Sequence, residues 1–285
     1  MGLNRIVTAL ATAPAVLAGM AGVAIAGQPE NWALGFQPAA SPTMERISSF
    51  NDLLFIIIVV IVVFVLGLLL YTSWRFAEKR NPTPSKTTHN TLLEVLWTTI
   101  PVIILVIIAV PSFKLLYFAD RVEEADMTIK AIGRQWYWSY EYPDDGNFTF
   151  DANMIPDEEL QPGQLRLLET DYPVVLPVET NIRLLITASD VLHNFAVPAF
   201  GIKLDGVPGR INETWVRINE PGTYYGQCSE LCGTGHAYMP IMIKAVTKEE
   251  YAAWVKSAQE EFAKVDEPAT TAPAVQLADS DNTAK

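Results

Sequence analysis

The chain has 285 residues, half of them hydrophobic, with 32 acidic against 20 basic side chains and a formal net charge of −12. That length holds one large domain or two smaller ones, and the acid excess excludes nucleic acid as a partner. A chain both this apolar and this charged must keep the two kinds of residue in different segments, and it does.

Residues 1–27 read as a secretory signal peptide: Arg5 makes the start positive, an apolar run follows, and Ala24-Ile25-Ala26 offers a small-x-small cleavage signal. Residues 28–52 follow as an exported N-terminal segment. Two stronger apolar runs come next, residues 53–74 ("LLFIIIVVIVVFVLGLLLYTSW") and residues 95–113 ("VLWTTIPVIILVIIAVPSF"), both free of charge. Each is close to the ~20 residues that a helix needs to cross the hydrocarbon core. They predict a transmembrane hairpin over residues 53–119, with helices at about 53–74 and 95–119 and a loop at 75–94. Pro101 and Pro111 fall inside the second helix, where neighbouring helices can re-satisfy the backbone. The loop holds Arg75, Lys79, Arg80 and Lys86, so the positive-inside rule makes it cytoplasmic and leaves both chain ends outside. In a bacterium this describes a multi-pass protein of the inner membrane, with everything from Asp120 onward in the periplasm.

Residues 120–285 hold 27 acids and 13 bases. That balance suits a cationic partner, and an oxidising compartment permits a disulfide. From residue 127 to residue 246 the pattern is short strands: "MTIKAIGRQWYWSYEY", "NIRLLITAS", "ETWVRI", "GTYYGQC" and "PIMIKAV". The turn signals "PDDGN", "QPGQ", "PAFG", "VPGR" and "NEPG" part them, which predicts an all-β sandwich or barrel. On a strand, Trp136 and Trp138 of "RQWYW" share a face, where barrel packing is their ordinary role. Residues 247–265 read as a helix, opened by Thr247 and Glu250 in a capping-box pattern and carrying Tyr251, Trp254, Val255, Ala258 and Phe262 on one face. The exported domain therefore runs over residues 120–265, and residues 266–285, rich in Ala, Thr, Pro and Asp, read as a disordered tail.

One loop concentrates the soft ligands. "GQCSELCGTGHAYMP", residues 226–240, holds Cys228, Cys232, His236 and Met239, which include both cysteines and one of three histidines. His193 lies upstream in "SDVLHNFAVPAFG". Thiolate, thioether and imidazole together suit copper, and a blue-copper site uses one Cys, two His and a weak axial Met. A second Cys lets two thiolates bridge two copper ions. A Cys228–Cys232 disulfide would leave His236 and Met239 without a role. Zinc on two Cys and two His has no use for Met, and its usual spacings differ. A thiol oxidoreductase or copper-delivery protein would be thioredoxin-like, with helices between its strands. Copper electron transfer suits the loop best, and the loop alone leaves the others open.

In four stretches, the ligand loop among them, the chain resembles subunit II of the haem-copper cytochrome c oxidases, of the alphaproteobacterial or mitochondrial kind. They are "TLLEVLWTTIPVIILV", "IKAIGRQWYWSYEYP", "DVLHNFAVPAFGIKLDGVPGR" and "YYGQCSELCGTGHAYMPI", and with the hairpin the likeness spans most of residues 42–260. The resemblance implies a two-helix transmembrane hairpin, then an all-β, cupredoxin-like Greek-key barrel with a C-terminal helix. It implies a binuclear copper centre, CuA, held by His193, Cys228, Cys232, His236, Met239 and the backbone carbonyl of Glu230. The Glu230 side chain would bind Mg2+ or Mn2+ at the boundary with subunit I, as suits a hard oxygen ligand. Trp136 would receive the electron from cytochrome c, docked on Glu141, Asp145, Asp171 and Asp190. Glu94 would stand at the mouth of a proton path into subunit I. The implied function is electron transfer from cytochrome c through CuA to haem in subunit I, where O2 is reduced and protons are pumped. The haems then belong to subunit I, and this chain by itself reduces no oxygen. Subunits I and III and the membrane are the remaining partners. A quinol oxidase subunit II would keep the fold without copper, and the intact ligand set argues against it. Two residues depart from the family pattern: Arg134 stands where His is expected, and Gly235 where Asn is common. Arg134 adds positive charge near the docking face. Gly235 is expected to loosen the ligand loop or alter hydrogen bonding to a cysteine sulfur, which shifts a redox potential.

Overall fold

The computed structural model describes residues 27–120 and 124–262. The expected signal peptide, Gly27 apart, and the expected tail at 266–285 lie outside the described residues.

Two long helices come first, α1 (Pro42–Arg75) and α2 (Thr91–Asp120), packed side by side. At 34 and 30 residues they run past the ends of their apolar runs. The local sequence says why. Ser41 caps α1 by accepting from the Met44 N–H at 3.0 Å, and Pro42 occupies the first turn, where a missing N–H costs nothing. Asn90 caps α2 by accepting from the Leu93 N–H at 3.2 Å, while its own N–H donates to Glu94 at 3.3 Å. The apolar side chains of both spans stay exposed, which fits helices whose solvent is lipid.

The β domain has ten strands: β1 (Met127–Arg134), β2 (Tyr137–Tyr142), β3 (Phe148–Ala152), β4 (Val174–Pro177), β5 (Ile182–Ala188), β6 (His193–Val197), β7 (Ile202–Gly206), β8 (Asn212–Val216), β9 (Gly222–Cys228) and β10 (Pro240–Val246). They form two five-stranded sheets, ordered β3-β2-β1-β5-β8 and β4-β10-β9-β6-β7. Most neighbours are antiparallel, but β1 runs parallel to β5 and β10 parallel to β4. Alternation along the strands builds the core between the sheets. On β5, Ile182, Leu184 and Ile186 are buried while the residues between them are half-covered.

The stretch "MTIKAIGRQWYWSYEY" is a hairpin, not a single strand. Arg134 pairs with Tyr137, so Gln135 and Trp136 form the turn. The expected shared strand face of Trp136 and Trp138 is therefore corrected: Trp136 sits at the tip, 37% exposed, and Trp138 is fully buried. A continuous apolar pattern hides a two-residue turn because neither turn residue is Gly or Asn.

The third helix, α3 (Lys248–Glu261), begins at Thr247, which forms a complete capping box with Glu250. Its Trp254, with Phe262 just beyond it, packs against Tyr142, Phe148 and Phe150 of the first sheet. The hairpin is stitched to the β domain at one end. Ala40 N–H donates to Ala199 C=O at 2.9 Å, Ser41 Oγ to Phe200 C=O at 2.7 Å, and the Trp215 indole to Phe118 C=O at 3.0 Å. The Arg46 guanidinium lies 3.5 Å over the Phe118 ring. Phe200 follows the end of β6, so His193, which opens β6, stands at the end of that strand away from the helices.

Candidate metal centre

Cys228 ends β9, and the loop to β10 carries Cys232, His236 and Met239; His193 arrives from the neighbouring β6. The donors converge. Cys228 Sγ lies 3.9 Å from Cys232 Sγ and 3.9 Å from His193 Nδ1. Cys232 Sγ lies 3.6 Å from His236 Nδ1 and 3.5 Å from Met239 Sδ. Cys228 Sγ also points at the Glu230 carbonyl, 3.3 Å away. His193, Cys228, Cys232 and Met239 are buried, and His236 is half-buried. The two thiols are free, their sulfurs far beyond the ~2.05 Å of a disulfide.

The loop is held from outside its own sequence. The Trp138 indole donates to Met239 C=O at 3.3 Å, and Gln135 Nε2 and Trp136 Nε1 donate to Cys232 C=O at 2.8 and 3.2 Å. The Ser229 N–H donates to Asn194 C=O at 3.1 Å, tying the loop to β6. Gly133 faces His193 so closely that a Cβ there would lie 2.7–2.9 Å from the ring and its stem. Gly235 lies against the Trp136 indole, where a Cβ would come within 2.4 Å of the ring. Of these supports, Gly133, Gln135 and Ser229 carry no role in the sequence reading. A glycine inside an alternating strand signals close approach of another group, and Gly133 carries that signal; Gln135 carries none.

Electrostatics prepares the pair for a metal. Burial by itself raises the Cys228 thiol, but hydrogen bonds from the His193 imidazole and from the backbone at Asn194 and Glu230 bring it down to about 6. Cys232 is pushed up to about 12 by burial and by the neighbouring Cys228 thiolate. At neutral pH the metal-free pair thus keeps one proton. Two sulfurs, two imidazole nitrogens, a thioether and a carbonyl in one buried cluster form a soft donor set, and copper fits it.

Residues 127–246 match the family profile described as cytochrome c oxidase subunit II, periplasmic domain, and residues 29–115 match its transmembrane domain. The chain belongs to the cytochrome c oxidase subunit II family. It is 54% identical over 232 residues to a probable cytochrome c oxidase subunit 2 of Rickettsia bellii, covering 81% of this chain and 86% of that one. It is 49% identical over 241 residues to cytochrome c oxidase subunit 2 of Oenothera berteroana, covering 82% and 93%. Among solved structures it is similar to the periplasmic domain of subunit II of cytochrome oxidase of Bradyrhizobium japonicum, at 53% identity and a TM-score of 0.47, over 50% of this chain and all of that one. As a subunit II, the chain is part of an oxidoreductase complex, cytochrome c oxidase.

The other residues expected at functional positions of this subunit II are placed as follows. Trp136 lies on the metal loop, partly exposed. Asp190 hydrogen bonds to His193 Nε2 at 2.9 Å. Asp171 accepts from the Asn153 backbone at 2.7 Å, next to the residue of β3 that pairs with Trp138. Glu141 pairs with Lys130 at 3.0 Å. Asp145 lies beyond the far end of β2 from Trp136, bonded to Tyr251 and Gln259 of α3; five strand steps from Tyr137 to Tyr142 span roughly 17 Å. The structure does not bring Asp145 to the metal end. The Glu230 side chain is exposed while its carbonyl turns inward. Glu94 is half-buried in the first turn of α2 and accepts from the Asn90 N–H. Arg134 donates to Ser139 Oγ at 2.9 Å and to Ser189 Oγ at 3.3 Å.

Proposed function

We propose that this chain is the electron-receiving subunit of its oxidase, accepting electrons from cytochrome c at a binuclear copper centre and passing them to haem in subunit I, where O2 is reduced and protons are pumped. One observation carries this: six ligand atoms suited to copper, from two separate stretches of chain, meet in one cluster around buried sulfurs. His193, Cys228, Cys232, His236, Met239 and the Glu230 carbonyl would hold the copper pair, which supplies a one-electron redox centre when bound. The protein's part is to hold the donors still. β9, β10 and β6 fix the loop's ends and His193, and the Trp138, Gln135 and Trp136 bonds fix its middle, so little rearranges when an electron arrives. Burial of the sulfurs excludes water.

Trp136 is the side chain that meets cytochrome c: it is partly exposed, and its indole N–H donates to the carbonyl of Cys232. Glu141, Asp171 and Asp190 would meet a lysine-rich partner, while Asp145, away from the metal end, would add only to the long-range field of the domain's acid excess that steers it. Glu94 would admit protons towards subunit I, and the exposed Glu230 carboxylate would take Mg2+ or Mn2+ at that boundary. With the basic loop at 75–94 in the cytoplasm, the β domain lies in the periplasm of a bacterial inner membrane. Subunit III completes the expected contacts.

Copper analysis and an EPR spectrum of the full-length chain test the proposal. The expected result is two coppers per chain and hyperfine structure from one electron shared between them. No bound pair, with Cys228 and Cys232 recovered as a disulfide, would sink it.

A further inference from the structure

The carboxylate of Asp190 has three donors on it. Oδ1 accepts from His193 Nε2 at 2.9 Å and from the Val191 N–H at 2.7 Å; Oδ2 accepts from the Gln135 N–H at 2.7 Å. An ionised carboxylate can only accept, so Nε2 carries a proton and donates it to Asp190. Nδ1 faces Cys228 Sγ, and the proton it donates to that sulfur in the metal-free chain is the one a metal displaces, so Nδ1 is the nitrogen the ring offers to the cluster. The bond from Gln135 extends the effect. Gln135 and Trp136 also donate through their side chains to the Cys232 carbonyl. Asp190, the Gln135–Trp136 turn, Cys232, Cys228 and His193 thus make a closed circuit around the donors. His193 is wholly buried behind the carboxylate, and Asp190 itself is only partly exposed. A rim acid serving a docking partner alone would not need both oxygens committed inward.

Resting on the copper reading above, we propose that Asp190 is a positioning residue of the metal centre: it selects the His193 tautomer that offers Nδ1 to copper and fastens the Trp136 turn to that same ligand. Partners of this kind orient metal-bound imidazoles and raise their basicity, and losing one costs about 10–100-fold in metal affinity.

The test compares full-length wild type, Asp190→Ala and Asp190→Asn, with Glu141→Gln as a rim-acid control. Asp190→Asn keeps an acceptor oxygen and so stands in if the alanine variant does not fold. The first readout is the His193 ring tautomer, followed through its Nε2 proton by nitrogen NMR in the metal-free chain; wild type should show an Nε2–H that is hydrogen-bonded and slow to exchange, and Asp190→Ala should lose that signature. The second is copper affinity by chelator competition, which should fall about 10–100-fold in Asp190→Ala and less in Asp190→Asn, beyond any change in KM for cytochrome c that the loss of a rim acid brings. Glu141→Gln should change KM alone and leave copper affinity as in wild type. Unchanged tautomer and unchanged copper affinity in both Asp190 variants, with only the salt dependence of cytochrome c oxidation altered, would overturn the proposal and leave Asp190 a docking acid. If wild type binds no copper pair, the copper reading fails on its own, and the tautomer readout still decides whether Asp190 sets the His193 ring.

Discussion

Cys228 and Cys232 are chemically unlike before any metal arrives, because one thiol is held down to about 6 and the other pushed up to about 12. In the metal-free chain, ultraviolet thiolate absorbance should rise with a midpoint near 6 and plateau at one thiolate per chain by about pH 8, below the range of tyrosine ionisation. Cys228→Ser should abolish that step. The sign for stability follows: a thiol with a folded pKa below its unfolded value of about 8.5 stabilises the fold above that value. That contribution fades as pH falls through 6, and chemical denaturation of the metal-free protein across this range should show it. Because Cys232 keeps its proton, metal uptake must expel it, and copper should bind more tightly as pH rises. Gly133 offers a sharper test of the His193 seat. In Gly133→Ala the new methyl would meet the imidazole stem, which is not a flexible end. Overpacking of this kind costs about 1–3 kcal/mol, and the expected signature is a larger loss in copper affinity than in melting temperature.

Elements were legible to different degrees. The two apolar runs and the capping box of α3 are local patterns, so both helix types could be read directly. The apolar run starts α1 at residue 53, but the helix begins at Pro42, where Ser41 and Pro42 carry a cap-and-first-turn signature; hydrophobicity measures the membrane, not the helix. The β1–β2 hairpin reads as one strand in the sequence because Gln135 and Trp136 lack turn chemistry, and only the pairing of Arg134 with Tyr137 reveals the turn. The α3 cap can be weighed separately from the metal centre. Thr247→Ala should cost about 1 kcal/mol in a denaturation experiment, with the copper spectrum unchanged, since α3 packs on the aromatic face of β2 and β3 and not on the ligand loop.

The whole molecule is organised by polarity. An apolar hairpin sits at one end and the ligand cluster at the other, joined through Ala40, Ser41 and the Trp215–Phe118 contact. The acid excess of the β domain gives a long-range field, which acts on encounter more than on chemistry. Electron delivery by cytochrome c should therefore slow as salt rises. Glu141→Gln, which leaves Lys130 unpaired, should lower the association rate a few-fold without changing copper content, as stopped-flow kinetics at several ionic strengths would show. An effect on kcat at saturating cytochrome c, and none on salt dependence, would argue against docking at Glu141.

By itself the sequence determined the class of the molecule: two apolar helices, an all-β domain, a capped C-terminal helix and a loop holding both thiols with His236 and Met239. Each of these is written in consecutive residues, through hydropathy, alternation or ligand spacing. Tertiary structure alone decided that the thiols are free and 3.9 Å apart, that His193 Nδ1 faces Cys228, that Gly133 makes room for the ring, and that Asp190 and Gln135 brace it. Asp190 and Gln135 are 55 positions apart, and Trp138 and Met239 are 101 apart. Contacts at such separations are set by sheet order and register, which no local pattern encodes.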